Sequence, residues 1–234
     1  MYLKTLHTKN KMELMYNNVL IKFDDEIDEI DVAGTKLQID TSFNKMQHQV
    51  TTGTVMGLPK KLLFDRTNVV KSVEYDVDME LQVGDKVIMS YLSYGEAIKN
   101  ATIDGCHYVR YDEILVAIRG DQVIPLNGLV LIEPITMTES AEVKEVSKFL
   151  ILPDYVKVQK SETRGVVRYK GKPVKRYLLD RFDTIYESED DVQVGDYVYF
   201  SPNYAVPLQY EMHQTLPMTL YRMRRKDIQG VYQP

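Results

Sequence analysis

The amino-acid sequence predicts an all-β chain built from two tandem copies of one unit, with barrels favoured over sandwiches, and three observations predict it. Four short anchors recur in one order at a nearly constant offset, the signature of a duplicated structural unit. The stretches between turns are short and rich in Val, Ile, Tyr and Thr, residues that suit a pleated, half-buried surface. Long amphipathic helical periodicity is missing, apart from a turn in TESAEVKEVSKF at 138–149 that Ser140 can cap.

Taken along the chain, residues 1–13 form an extension with Lys4, Lys9 and Lys11, too poor in arginine and serine for an organelle transit peptide and better read as an edge strand. VLIKF from Val19 then recurs as VLIEP from Val130, an offset of 111. The run DDEIDEID at 24–31 carries six acids and reads as a solvated flexible segment; without a central Gly and a distal Glu it is not a calcium loop. TTGTVMG around Gly53 meets TRGVVRYKG around Gly165 at an offset of 112.

LQVGDKVIMS at 81–90 recurs as VQVGDYVYFS at 192–201, with six of ten letters identical at an offset of 111. Val-Gly-Asp places a turn before an apolar strand, because Gly tolerates positive φ and Asp bonds nearby amides. On the second of these strands Tyr197, Tyr199 and Ser201 share one face and Val198 and Phe200 the other, so one face is core. DEILVAI from Asp112 corresponds to KDIQGVY from Lys226 at an offset of 114. The units are therefore 14–120 and 121–234, split near Gly120 to Pro125.

Composition narrows the function classes. The chain has 234 residues, 44% apolar and 27% charged, the balance of a globular protein, and its net charge of −5 lacks the basic excess that favours nucleic acid. Cys106 is the sole cysteine, which excludes an intrachain disulfide or a zinc cluster and fits a reducing, cytoplasmic setting. No stretch has the apolar length of a membrane span. Cys106 and His107 are neighbours that an extended strand points to opposite faces, so they make no thiolate–imidazole pair. His7, His48 and His213 have no metal-ligand spacing, and phosphate loops, nucleophile elbows and dinucleotide fingerprints are missing. The chain is read as a non-enzyme with neither cofactor nor metal. Arg222, Arg224, Arg225 and Lys226 form a basic cluster, read as a strand edge whose charges discourage aggregation.

The ordered anchors resemble the GroES-type co-chaperonins. IPLNGLVLIEP at 124–134 is similar to that family's Pro-Leu start and first strand, and FLILPDYVKVQKSETRGVV at 149–167 to its apolar mobile loop ending in Pro-Asp. VGDKVIMSYLSYGEAIKNATIDGCHYVRYDEILVAI at 83–118 resembles its carboxyl half, including Tyr94-Gly95 and the closing Asp-Glu-Ile-Leu. The resemblance spans 14–234 in two copies and implies two tandem GroES-like small, irregular β-barrels. In the first copy the loop position holds VAGTKLQIDTSFNKMQHQVTT, where Leu37 and Ile39 are the apolar candidates and Pro-Asp is absent. The segments 58–82 and 172–193 take the place of the family's roof hairpin and are enlarged.

By this resemblance the chain caps a GroEL-type ring chaperonin in its ATP- or ADP-bound state and assists folding, docking through Phe149, Leu150, Ile151 and Leu152 and secondarily through Leu37 and Ile39. ATP turnover then belongs to the partner. As a bare pattern, four apolar residues in a row also suit a buried strand. The alternative is a structural ring or adaptor subunit, in host cytoplasm or virion if phage-encoded, that retains the barrels without chaperonin docking. In both readings the chain forms a homo-oligomeric ring through open strand edges, with no nucleic acid and no membrane as partner.

Overall fold

The computed structural model describes residues 13–24, 29–32, 35–38, 51–63, 75–97, 102–137, 159–174, 176–177, 191–208 and 219–233. Through the first half run β1 (Asn18–Phe23), β2 (Glu29–Val32), β3 (Thr35–Gln38), β4 (Thr52–Gly57), β5 (Tyr75–Asp76), β6 (Lys86–Met89), α1 (Tyr91–Ala97), β7 (His107–Arg110), β8 (Ile114–Arg119) and β9 (Gln122–Pro125). The second half holds β10 (Leu129–Met137), β11 (Gln159–Lys170), β12 (Arg176–Tyr177), β13 (Tyr197–Phe200), β14 (Val206–Pro207), β15 (Tyr221–Arg224) and β16 (Ile228–Tyr232). The fold is mostly β and antiparallel. No helix among the described residues is long and apolar enough to cross a membrane.

Two six-stranded sheets carry the duplication. The first has the order β7-β1-β4-β6-β8-β9 and the second β14-β15-β10-β11-β13-β16, so five strands of each follow the same path. Among the described residues both sheets are open, ending in β7 and β9 and in β14 and β16, and neither closes into a barrel. Residues 122–125, just past the repeat boundary, add β9 to the first sheet through pairs such as Val116 with Pro125.

The turn before the third shared strand is built identically in both repeats. Gly84 and Gly195 have φ of 96° and 97°, the left-handed region that glycine enters without a steric cost. The Asp85 and Asp196 carboxylates each accept a 2.7 Å bond from the backbone N–H three residues earlier, at Gln82 and Gln193. Gly84 then donates to Val55 O and Gly195 to Val167 O, both at 2.8 Å. A second glycine pair marks where strands cross closely. A Cβ on Gly53 would lie 2.7 Å from Ile21 Cγ2 and from Lys22 O, and one on Gly165 would collide with Ile132 and Glu133 O.

Three apolar clusters follow. One fills the first repeat around Val19, Ile21, Val55, Val87 and Tyr111, and another the second around Val130, Ile132, Val167, Val198 and Phe200. Val198 and Phe200 are thus core, while Tyr199 faces outward. The third cluster lies between repeats and joins Ile88, Leu115 and Val116 to Leu129, Leu131, Leu208 and Leu220.

Three features depart from expectation. The helix α1 interrupts an all-strand reading; its YLSYGEA sequence contains Gly95 and lacks a helical pattern, and it is held by Ala97, buried in the core, and by Tyr94, edge-on to Phe23 at 5.1 Å. Part of the acidic run is strand rather than flexible segment, since Ile30 and Val32 alternate with Glu29 and Asp31 through β2. The turn expected at 138–149 lies outside the described residues.

Candidate docking surface

Both expected docking segments fall at the same place in the strand order, between the first and second shared strands of a repeat. In the first repeat that excursion contains the hairpin β2–β3, with Ile30 paired to Leu37 and Val32 to Thr35. Leu37 therefore sits on a strand. Ile39 lies outside the described residues, as do Phe149, Leu150, Ile151 and Leu152. In the second repeat the flanking strands are longer, so β10 and β11 pair out to Met137 with Gln159 and form a two-stranded stalk.

The stalk has a defined break in its ladder. Register shifts between Pro134 and Thr136, where proline contributes no N–H, and the extra residues on β11 are gathered by Ser161. Its buried hydroxyl accepts bonds from Thr163 N–H at 3.3 Å and Arg164 N–H at 3.0 Å.

At the joint between repeats lies a cleft of about 290 Å³, lined in part by Tyr204, Val206, Arg222, Arg224, Lys226 and Asp112. The basic cluster is not a strand edge: β15 runs between β14 and β10. Arg225 leaves the cluster altogether and is buried, donating to Asp191 Oδ1 at 2.7 Å and to the Gly171 carbonyl. Arg224 donates to Asn127 O at 3.1 Å and so ties β15 to the segment joining the repeats.

Beside this joint a carboxylate is taken out of water. Glu80 Oε2 accepts from Asn127 N–H at 3.0 Å and Tyr111 O–H at 3.2 Å. Burial pushes the Glu80 carboxyl above its ordinary range, more than these hydrogen bonds and the Lys172 charge pull it down. Asn127 is itself anchored by Nδ2 donating to Tyr111 O and Ile114 O at 3.3 and 3.0 Å. Because the folded state holds the Glu80 proton more tightly than the unfolded chain, this stabilising contribution is complete below the ordinary carboxylate range and is lost as pH rises through the raised value. Glu80→Gln does not titrate, so its stability relative to wild type is expected to rise with pH across that window. Urea unfolding at a series of pH values checks this, and a difference independent of pH would contradict it.

Cys106 and His107 make no nucleophile and base. The Cys106 thiol is buried, which raises its pKa, and points to Asp104 O at 3.7 Å, while His107 packs on the Phe23 ring at 5.0 Å with Nδ1 3.3 Å from Ala97 O. Among the described residues no three His, Cys, Asp or Glu side chains converge as metal ligands. Sequence reasoning missed Glu80, Asn127 and the inter-repeat joint, whose partners lie tens of residues apart; the sole local signal was the turn pair Asn127-Gly128, with φ of 60° and 72°. No protein-family model matches the chain, and no curated protein is significantly similar to it.

Proposed function

We propose that this chain is a tandem GroES-like co-chaperonin that caps a ring chaperonin in the cytoplasm and encloses a folding substrate. The observation that carries the reading is the repeated excursion between the first and second shared strands. In the second repeat the sequence between β10 and β11 contains Phe149-Leu150-Ile151-Leu152-Pro153-Asp154. Four apolar side chains there bind a groove on the nucleotide-bound partner, each contributing ~1.5–3 kcal/mol before the ordering cost, and several loops in one assembly add by avidity. The chain hydrolyses nothing itself. The test is retention of the full chain on a GroEL-type ring chaperonin with ATP, with ADP and without nucleotide. Nucleotide-dependent retention supports the reading, and failure to bind under all three conditions overturns it.

The second reading is a structural ring or adaptor subunit. It is favoured by the use of both enlarged segments inside the chain: β5 and β12, one from each, pair with each other through Tyr75 with Tyr177 and Asp76 with Arg176. Segments committed to each other in this way serve internal rigidity more directly than a roof over a cavity.

A further inference from the structure

Three of the basic residues near the carboxyl end converge on the joint between the repeats. Arg222 and Arg224 lie two residues apart on β15, so their side chains share one face of the sheet. It is the face of Leu131 and Leu129, their partners on β10, which belong to the apolar cluster between the repeats. Met223 turns instead into the core of the second repeat, and Arg225 is buried against Asp191. Lys226 follows in the short turn Arg225–Asp227 and is exposed. Arg222, Arg224 and Lys226 all line the cleft of about 290 Å³, to which the first repeat contributes Asp112 and Leu115.

The cleft is locally positive in a chain whose net charge is −5. Its two carboxylates are Asp112 and Asp227, and Asp112 is ion-paired with Arg110 through bonds of 2.8 and 2.5 Å. The three lining cations are therefore set against the one charge of Asp227, a surplus of two. Gathering like charges in a partly desolvated cleft is costly, and a bound dianion relieves that cost. A phosphate monoester carries about −1.5 to −2 at pH 7, whereas a carboxylate carries one charge, and the planar guanidinium matches phosphate oxygens in pairs. Arg224 is oriented by donating from Nη1 to Asn127 O at 3.1 Å. Beside the cations stand an apolar wall, Leu129 and Val206, and the ring of Tyr204, which is 55% exposed. The volume is at the lower end of small-molecule sites.

We propose that this cleft binds a small organic phosphate monoester, with its phosphate among Arg222, Arg224 and Lys226 and its apolar or ring-bearing body against Leu129, Val206 and Tyr204. Because Leu115 of the first repeat lines the same cleft, a ligand there contacts both repeats. The inference goes beyond the co-chaperonin reading and does not depend on it: a chain that binds the phosphate monoester but is never retained by a ring chaperonin keeps this site and overturns only that reading.

Calorimetric titration of the full chain at neutral pH with phenyl phosphate, benzoate and inorganic phosphate tests it. Phenyl phosphate is expected to bind once per chain. Its affinity should exceed by at least about tenfold that of benzoate, which has the ring with a single charge, and that of inorganic phosphate, which has the charge without the ring. Lys226→Glu, at an exposed position, and Arg222→Gln are each expected to weaken phenyl phosphate at least about tenfold. Should Arg222→Gln melt early, Lys226→Glu carries the same test. Tyr204→Ala is expected to weaken phenyl phosphate and leave inorganic phosphate unchanged. No binding of phenyl phosphate, an equal affinity for benzoate or inorganic phosphate, or an affinity for phenyl phosphate that survives Lys226→Glu or Tyr204→Ala would overturn the inference.

Discussion

The Val174→Asp variant is expected to lose more than about 3 kcal/mol of stability, because it buries a carboxylate among apolar side chains. Val174 follows β11 of the second repeat, yet it is buried in the core of the first, in one cluster with Leu62, Val77, Leu81 and Leu126. The segment that delivers it is fastened on both sides. Gly171 N–H donates to Leu129 O at 2.8 Å, Arg225 donates to the Gly171 carbonyl, and β12 pairs with β5 two residues beyond Val174. A loss of about 3 kcal/mol in a chain of this length lowers the melting temperature by about 6–12 °C. Since the side chain belongs to one repeat and its cavity to the other, wild type and variant are each expected to unfold in a single calorimetric transition. Two transitions in wild type, or a variant within about 0.5 kcal/mol of it, would contradict the interlocked packing. Val174→Ala, which removes two methyl groups, is expected to cost a smaller ~1.5–3 kcal/mol.

Ile151→Asp separates the docking segment from a buried strand, and its expected signature is the reverse. As a docking residue Ile151 contributes to binding and not to the core, so melting should stay within about 1 °C of wild type while retention on the chaperonin is lost. Losing ~1.5–3 kcal/mol per loop weakens each contact about 10- to 150-fold, and avidity compounds this over all loops of an assembly. Retention by nucleotide-loaded chaperonin and a thermal melt on one preparation give both readouts. A large fall in melting temperature would identify 149–152 as core and move the preference to the structural-subunit reading.

Where sequence and structure agree, the interactions are local or periodic. The Val-Gly-Asp turn closes over three residues and needs a positive φ at Gly84 or Gly195, so ten letters suffice to announce it twice. Alternation assigned Val198 and Phe200 to the core by the two-residue period alone. The glycine at each strand crossing was visible as an anchor, although the reason for it, Ile21 against Gly53 and Ile132 against Gly165, was not.

Where they differ, the deciding partner is remote. Arg225 looks like its neighbours in a basic run, but Asp191 and the Gly171 carbonyl, 34 and 54 residues away, draw it into the interior. Tyr91–Ala97 has no helical period of its own and becomes helical where Ala97 and Tyr94 meet the core. The amino-acid sequence by itself determined the β class, the duplication and the turns, since these depend on backbone preference and periodicity within about ten residues. Tertiary structure alone decided that the repeats interlock, that one sheet face of each is consumed at their joint, and that Glu80 is held there among Tyr111, Asn127 and Lys172. Those outcomes depend on which apolar faces meet and which polar groups are dehydrated together, and such contacts join residues tens of positions apart without leaving a period in the chain.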